Sequence, residues 1–216
     1  MKDEFIKAAK ELEEQIIRDR RHIHKYPEVG MEVPKTYAYV KKRLEQIGCE
    51  TAECGKYGIT STVGQGGKTL LLRAELDGLP TKEETDIPFK SQNENGHLCG
   101  HDIHIAMLLG AAKILKDREA DLKGTVKFMF QPAEEYGIGA KVMIEHGILE
   151  NPKVDACLAI HVMPDERNGH IGFKKGITCA YLDGFMIEVN RERGSWFQTG
   201  RNHRSAQCGC RHVQHD

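Results

Sequence analysis

The stretch VKFMFQPAEEYGIGAKVMIEHG (126–147) changes period in its middle. Val126–Phe130 is a short apolar run, which reads as a buried strand. Residues 131–137 are polar and carry Pro132, and from 139 to 147 the apolar spacing becomes helical. A strand that passes through a polar loop into a helix is the repeating part of an α/β domain, and the pattern extends in both directions. Upstream, Ile59–Val63 and Thr69–Leu76 read as strands split by the turn Gly64–Gly67, and IHIAMLLGAAKILK lies in a helix over 102–117. Residues 81–100 form a polar loop. Downstream, Ala156–Val162 reads as an apolar strand, and 169–189 as further strands. Near the N-terminus, Phe5, Leu12, Ile16, Ile17 and Ile23 recur at helical spacing over 3–25, ahead of Pro27. A second helix over 35–47 carries Tyr37, Val40, Leu44 and Ile47 and is closed by Gly48. Helices alternating with apolar strands predict an α/β domain around a largely buried sheet.

The 216 residues suit one large domain, or one domain and the start of another. A net charge of −1 gives no electrostatic case for nucleic acid or an anionic membrane. No apolar run approaches the roughly 18 residues of a membrane span. The first residues, MKDEFIKAAKELEEQ, are charged where an export signal needs an apolar core, so a cytoplasmic setting is expected. Cys49, Cys54, Cys99, Cys157 and Cys179 have no compact framework spacing and read as reduced thiols.

Four short segments put metal-binding residue types at the carboxyl end of a strand or the start of a helix, the edge where open α/β sheets bind ligands. In HLCGHDIH (97–104), Cys99 and His101 are close enough for a thiolate and an imidazole to grip one ion or bridge two; the plain alternative is a loop with a structural thiol. His104, three residues on, reads as a packing histidine rather than a ligand. In QPAEEYG (131–137), one of Glu134 and Glu135 can bind metal while the other moves a proton, against the alternative of an acidic surface turn. His161 ends the apolar strand ACLAI, where a lone histidine is otherwise a core residue. In RAELDGLP (73–80), Asp77 can orient a ligating histidine through its other ring nitrogen, or simply form a turn with Gly78. No glycine-rich phosphate loop, no Gly-x-Ser-x-Gly and no His-Glu-x-x-His is present, so the chemistry rests on these scattered residues.

Taken in order, RRHIHKYPEVGMEVPKT, RAELDGLP, CGHDIHIAMLLGAAKIL, FQPAEEYGIGA and AIHVMP resemble the M20 metallopeptidase family. The nearest branch is that of aminoacylase-like amidohydrolases, which includes hippurate and auxin-conjugate hydrolases. The resemblance covers residues 15 to 190. It implies a three-layer αβα, zinc-exopeptidase-like catalytic domain with a mostly parallel mixed sheet, into which a smaller α+β lid is inserted. It implies two divalent metal ions, zinc or manganese, with nickel or cobalt as alternatives. Position by position, Cys99, His101, Glu135 and His161 match the metal ligands, Glu134 the general base and Asp77 the carboxylate behind the site. The implied substrate is a small N-acyl amino acid, cut at its amide bond by metal-activated water. The implied partners are that small molecule and, through the lid, a second copy of the chain, with neither nucleic acid nor membrane.

The sequence also departs from the family. A member should run to nearly twice this length, with a Gly-Gly-His-Gly-like lid motif and a further metal-binding histidine near its end. On this reading 1–180 is the amino-terminal part of the catalytic domain, 181–190 the first strand of the lid, and 191–216 an aberrant tail. The tail holds five arginines but no lysine, leucine or isoleucine, too few apolar residues for a packed element. Permitted codons read one base later can spell Gly-Lys-Gly-Gly-His-Gly-Ser-Arg-Pro from Arg191, so an out-of-frame origin is expected; the coding DNA decides it. The plain alternative is a metal or redox appendage using Cys208, Cys210, His203 and His212. Without the lid's oxyanion donor, a loss worth about 10² to 10³ in rate, the chain alone is expected to be poorly active or inactive. A non-catalytic metal-binding or interaction fragment is the competing functional class.

Overall fold

The structure is a computed structural model that describes residues 2–164, 167 and 169–177. The chain divides into one unit, Met1–Arg167, and a second beginning at Asn168. Of the second, residues 169–177 are described; they hold no strand, and Ile171, Phe173 and Ile177 are exposed. The rest of the expected strands to 189, the lid segment 181–190 and the tail 191–216 lie outside the described residues.

Helices α1 (Lys2–Glu11) and α2 (Glu13–Lys25) occupy the stretch expected to be one helix. Leu12 interrupts it as a single turn residue whose amide is shared between Ala8 O and Ala9 O. Pro34 opens α3 (Pro34–Ile47), where a missing amide hydrogen costs nothing. Gly48, at φ 89°, ends it by returning its N–H to Leu44 and Glu45.

Strands β1 (Thr51–Glu53), β2 (Ile59–Val63), β3 (Thr69–Glu75), β4 (Thr125–Gln131) and β5 (Ala156–Ala159) form one mixed sheet in the order β1-β2-β4-β3-β5. β1 with β2 and β2 with β4 run antiparallel; β3 runs parallel to both β4 and β5. The parallel links need crossovers, supplied by α4 (His101–Lys116) between β3 and β4 and by α5 (Gly139–Glu145) between β4 and β5. β3, β4 and β5 therefore finish on one edge, the edge at which α4 begins.

Alternation along β4 divides the interior. Phe128 and Phe130 join Ile23, Val40, Leu44, Ile105 and Leu109 on the face covered by α2, α3 and α4. Met129 joins Leu71, Met143 and Ile148 on the face covered by α5. Each fully buried phenylalanine contributes ~1.5–3 kcal/mol over the exposed state. All four residues of β5 are exposed. It also stops three residues before the expected end, so His161 stands two residues beyond the strand rather than closing it. Cys49, Cys54, Cys99 and Cys157 are free thiols, and no described helix is long and apolar enough to cross a membrane.

Candidate metal centre

Asp77, fully buried just past β3, organises the edge. Its carbonyl oxygen accepts the Nδ1–H of His101 at 2.8 Å, with Oδ1 of its carboxylate at 3.6 Å from the same nitrogen. The carboxylate meanwhile accepts the amides of Glu134 and Glu135 at 3.1 and 3.2 Å. The expected orientation of His101 is thus made chiefly by the main chain, and the carboxylate pins the acidic turn after β4. That turn is tight: a Cβ at Gly139 would meet Pro132 O at 1.6 Å, so only glycine fits.

Gly100 starts α4 from a left-handed conformation at φ 87°. A Cβ there would lie 2.4 Å from Val162 Cγ2, so the segment after β5 comes down directly onto the helix start. As a result Cys99 Sγ lies 3.3 Å from His161 Nε2. His101 Nε2 lies 3.7 Å from Glu135 Oε1 and 3.8 Å from Glu134 Oε2. The donor atoms of Cys99, His101 and His161 lie within 4.8 Å of one another, as do those of His101, Glu134 and Glu135. The four residues expected as ligands, together with Glu134, therefore meet around His101, and His161 reaches the group despite standing clear of its strand.

Electrostatics set the state of each group. Burial, reinforced by the negative charge and hydrogen bond of Glu135, pushes the Cys99 thiol up to about 12. Burial opposes a charged His101, but the Asp77 hydrogen bond and the charge of Glu75 outweigh it and raise its pKa. His101 Nε2 and Glu135 Oε1 are buried without a hydrogen-bond partner among the described residues. Unpaired buried polar atoms are costly, and two aimed at a common point beside a thiol and a second imidazole fit a divalent cation. Sulfur, nitrogen and oxygen donors together suit zinc and its first-row neighbours.

Three residues beside the centre carried no sequence signal of their own. Arg73 donates to Gln131 Oε1 at 2.7 Å and to Glu75 Oε1 at 2.6 Å, and its guanidinium lies 3.9 Å from Glu134 Oε1. Burial pushes the Glu75 carboxyl up, but the His104 hydrogen bond and Arg73 bring it below its ordinary value. Alternation on β3 puts Arg73 and Glu75 on one face, but their role needed the neighbouring strand.

Residues 71–208 match the family described as Peptidase family M20/M25/M40. The chain is 41% identical over 182 residues to the N-acetyl-L-cysteine deacetylase of Bacillus subtilis (strain 168), covering 82% of this chain and 43% of that one. It is 43% identical over 178 residues to the IAA-amino acid hydrolase ILR1-like 6 of Arabidopsis thaliana, covering 81% and 38%. Among solved structures, a dinuclear metal-binding peptidase of the M20 family from Bacillus subtilis matches with a TM-score of 0.69 at 36% identity, over 72% of this chain and 45% of that one. The chain spans about half the length, or less, of the curated relatives it matches, 43% and 50% of two from Bacillus subtilis.

Proposed function

Because the chain belongs to peptidase family M20/M25/M40, we propose that it carries the metal-binding half of an amidohydrolase that cleaves N-acyl amino acids, with Cys99, His101, Glu135 and His161 as ligands to two divalent ions, zinc or manganese. The relatives named for N-acetylcysteine and for an amino-acid conjugate support this substrate class. The observation that carries the reading is that Cys99, His161 and Glu135 all meet His101, whose Nε2 is buried without a hydrogen-bond partner among the described residues, as is Glu135 Oε1. Bound there, divalent ions would polarise the scissile carbonyl and bring the pKa of water towards about 7. Glu134 is the base: its carboxylate is 36% exposed, its amide is fixed by Asp77, and it stands 3.8 Å from His101 Nε2. From there it accepts a proton from the attacking water and returns it to the leaving amine nitrogen. The Arg73 guanidinium, 3.9 Å from Glu134 Oε1, helps hold that carboxylate beside the centre. Free thiols, including Cys99, accord with a cytoplasmic setting.

The test is a zinc and manganese titration of the purified chain, run beside an assay of amine release from an N-acetyl amino acid. The Glu134→Gln chain should keep its metal stoichiometry and lose about 10² to 10⁴ in rate. Turnover by the chain itself should be slow, so the ratio is the quantity to measure. Failure to bind metal, or a rate indifferent to Glu134→Gln, overturns the assignment; metal binding without hydrolysis in either chain leaves the non-catalytic class standing.

A further inference from the structure

His104 stands outside the ligand set proposed above, yet it is 2% exposed and spends both ring nitrogens. Its Nδ1 faces Glu75 Oε2 at 2.8 Å, and its Nε2 accepts the main-chain N–H of Val162 at 3.0 Å. An Nε2 that accepts cannot carry a hydrogen, so the Nδ1 proton is donated to Glu75. Glu75 is held in turn by Arg73 at 2.6 Å. On the other side of Val162, His161 Nδ1 donates to Val162 O at 2.7 Å, which leaves His161 Nε2 free to face Cys99 Sγ. Val162 is thus fixed twice: its amide rests on His104, and its side chain fills the space where Gly100 lacks a Cβ.

This segment needs such a seat. β5 pairs with β3 only as far as Arg73↔Ala159, so no strand pairing fixes His161. We propose that His104 is a positioning residue: as the Nδ1–H tautomer it anchors the Val162 amide and so sets where His161 presents Nε2 to the metal centre. The linkage runs without a gap from Arg73, beside Glu134, through Glu75, His104 and Val162 to His161. The two ends of the candidate centre therefore share one support. The inference rests on the reading of His161 as a ligand.

Two side chains separate the halves of the role. Asparagine at 104 offers a donor where Nδ1 stands but nothing that reaches Val162; glutamine offers an acceptor where Nε2 stands. In the full 216-residue chain without metal, ¹⁵N resonances of His104 should report protonation at Nδ1 alone, and the Val162 amide should be protected from exchange. His104→Asn should speed that exchange at least tenfold and weaken zinc binding by about 10- to 100-fold. His104→Gln should restore most of both. Protonation at Nε2 in the unmodified chain, or equal losses in the two variants, overturns the proposal. The tautomer measurement needs no variant, so a misfolded substitution does not block the test. Failure of the metal reading is separately visible: His161→Ala would then leave zinc affinity unchanged while Val162 exchange still responded to His104→Asn.

Discussion

His101 and Asp102 are consecutive, and each side chain is 1% exposed, yet they sit in opposite kinds of surroundings. Asp102 belongs to a cluster of alternating charge. Its Oδ2 takes Arg20 Nε at 3.0 Å and His24 Nδ1 at 2.8 Å, and His24 Nε2 reaches Glu83 at 3.1 Å. Glu83 then accepts the Ser91 amide at 2.7 Å and the Thr85 hydroxyl. Two carboxylates meeting at His24 thereby tie α2, the polar loop 81–100 and the start of α4 together. His101 belongs to a cluster with an excess of acidic groups, where Glu75, Glu134 and Glu135, with Arg73 on its far side, gather around a thiol pushed up to about 12. The Asp102 side is nearly closed, with Asp102 Oδ1 and the His97 ring still lacking partners among the described residues. Its loose ends do not share a point with a thiol and two carboxylates. Burial is equal on the two sides, so burial alone does not mark a functional site; the excess of carboxylates crowded beside a thiol does.

The largest effect that sharpens this contrast is on stability. Asp102→Ala removes the centre of the mixed-charge cluster and leaves a buried His24 facing Glu83 alone. Breaking a buried pair costs ~3–5 kcal/mol, and the low end applies because Arg20 is 36% exposed and can turn to water. Urea unfolding of the metal-free chain should show a loss of ~3 kcal/mol. A loss below ~1 kcal/mol, the range of a surface pair, would erase the distinction between the two clusters.

A smaller effect, of opposite sign, is expected in the cluster around His101. Glu135→Gln removes one of the crowded carboxylates and gives the buried position an amide that can donate. The metal-free chain should gain ~0.5–1 kcal/mol, as sites strained for function commonly do when relieved. The same substitution should weaken zinc binding, so that added zinc stabilises the variant less than the unmodified chain. Destabilisation of the metal-free variant would mean that Glu135 is a structural residue like Asp102.

The contrast also separates what was legible in the sequence from what was not. Cys99 and His101 could be paired from spacing, and the strand ends named Asp77, Glu134 and Glu135, because these signals are local. The helix and strand periods were local too, and they located every described strand except β1, three residues with none fully buried. The end of β5 was overestimated because Ile160 and Val162 continue the apolar pattern, whereas the Val162 amide leaves the sheet for His104. The partnerships that give His104, Asp102 and the Asp77 carboxylate their roles span 29, 78 and 57 residues. No local pattern encodes such distances; they follow from the order of strands.

The smallest effect tests the sign of the Asp102 cluster by pH. The hydrogen bond to Asp102, with help from Glu83 and against burial, raises the pKa of His24 above its ordinary 6.5. A raised pKa means that the contribution is complete below pH 6.5 and drains away as pH climbs through the folded-state value. Asp102 is shifted the other way: burial pushes it up, but His24, His97 and Arg20 outweigh burial and hold it below 3.8, so its own share is lost only in acid. Burial pushes His97 down to about 4, and its contribution therefore falls below pH 6.5. The clean window is above pH 6.5. There the stability gap between the unmodified chain and Asp102→Asn should narrow as pH rises towards 8, by less than the ~3 kcal/mol of the full deletion. His101 is raised as well, but it is common to both chains and largely cancels in the difference. A gap that widens with pH would mean that His24 is neutral in the folded chain, and that the mixed-charge cluster is held by hydrogen bonds rather than by the ion pair that sets it apart from the metal centre.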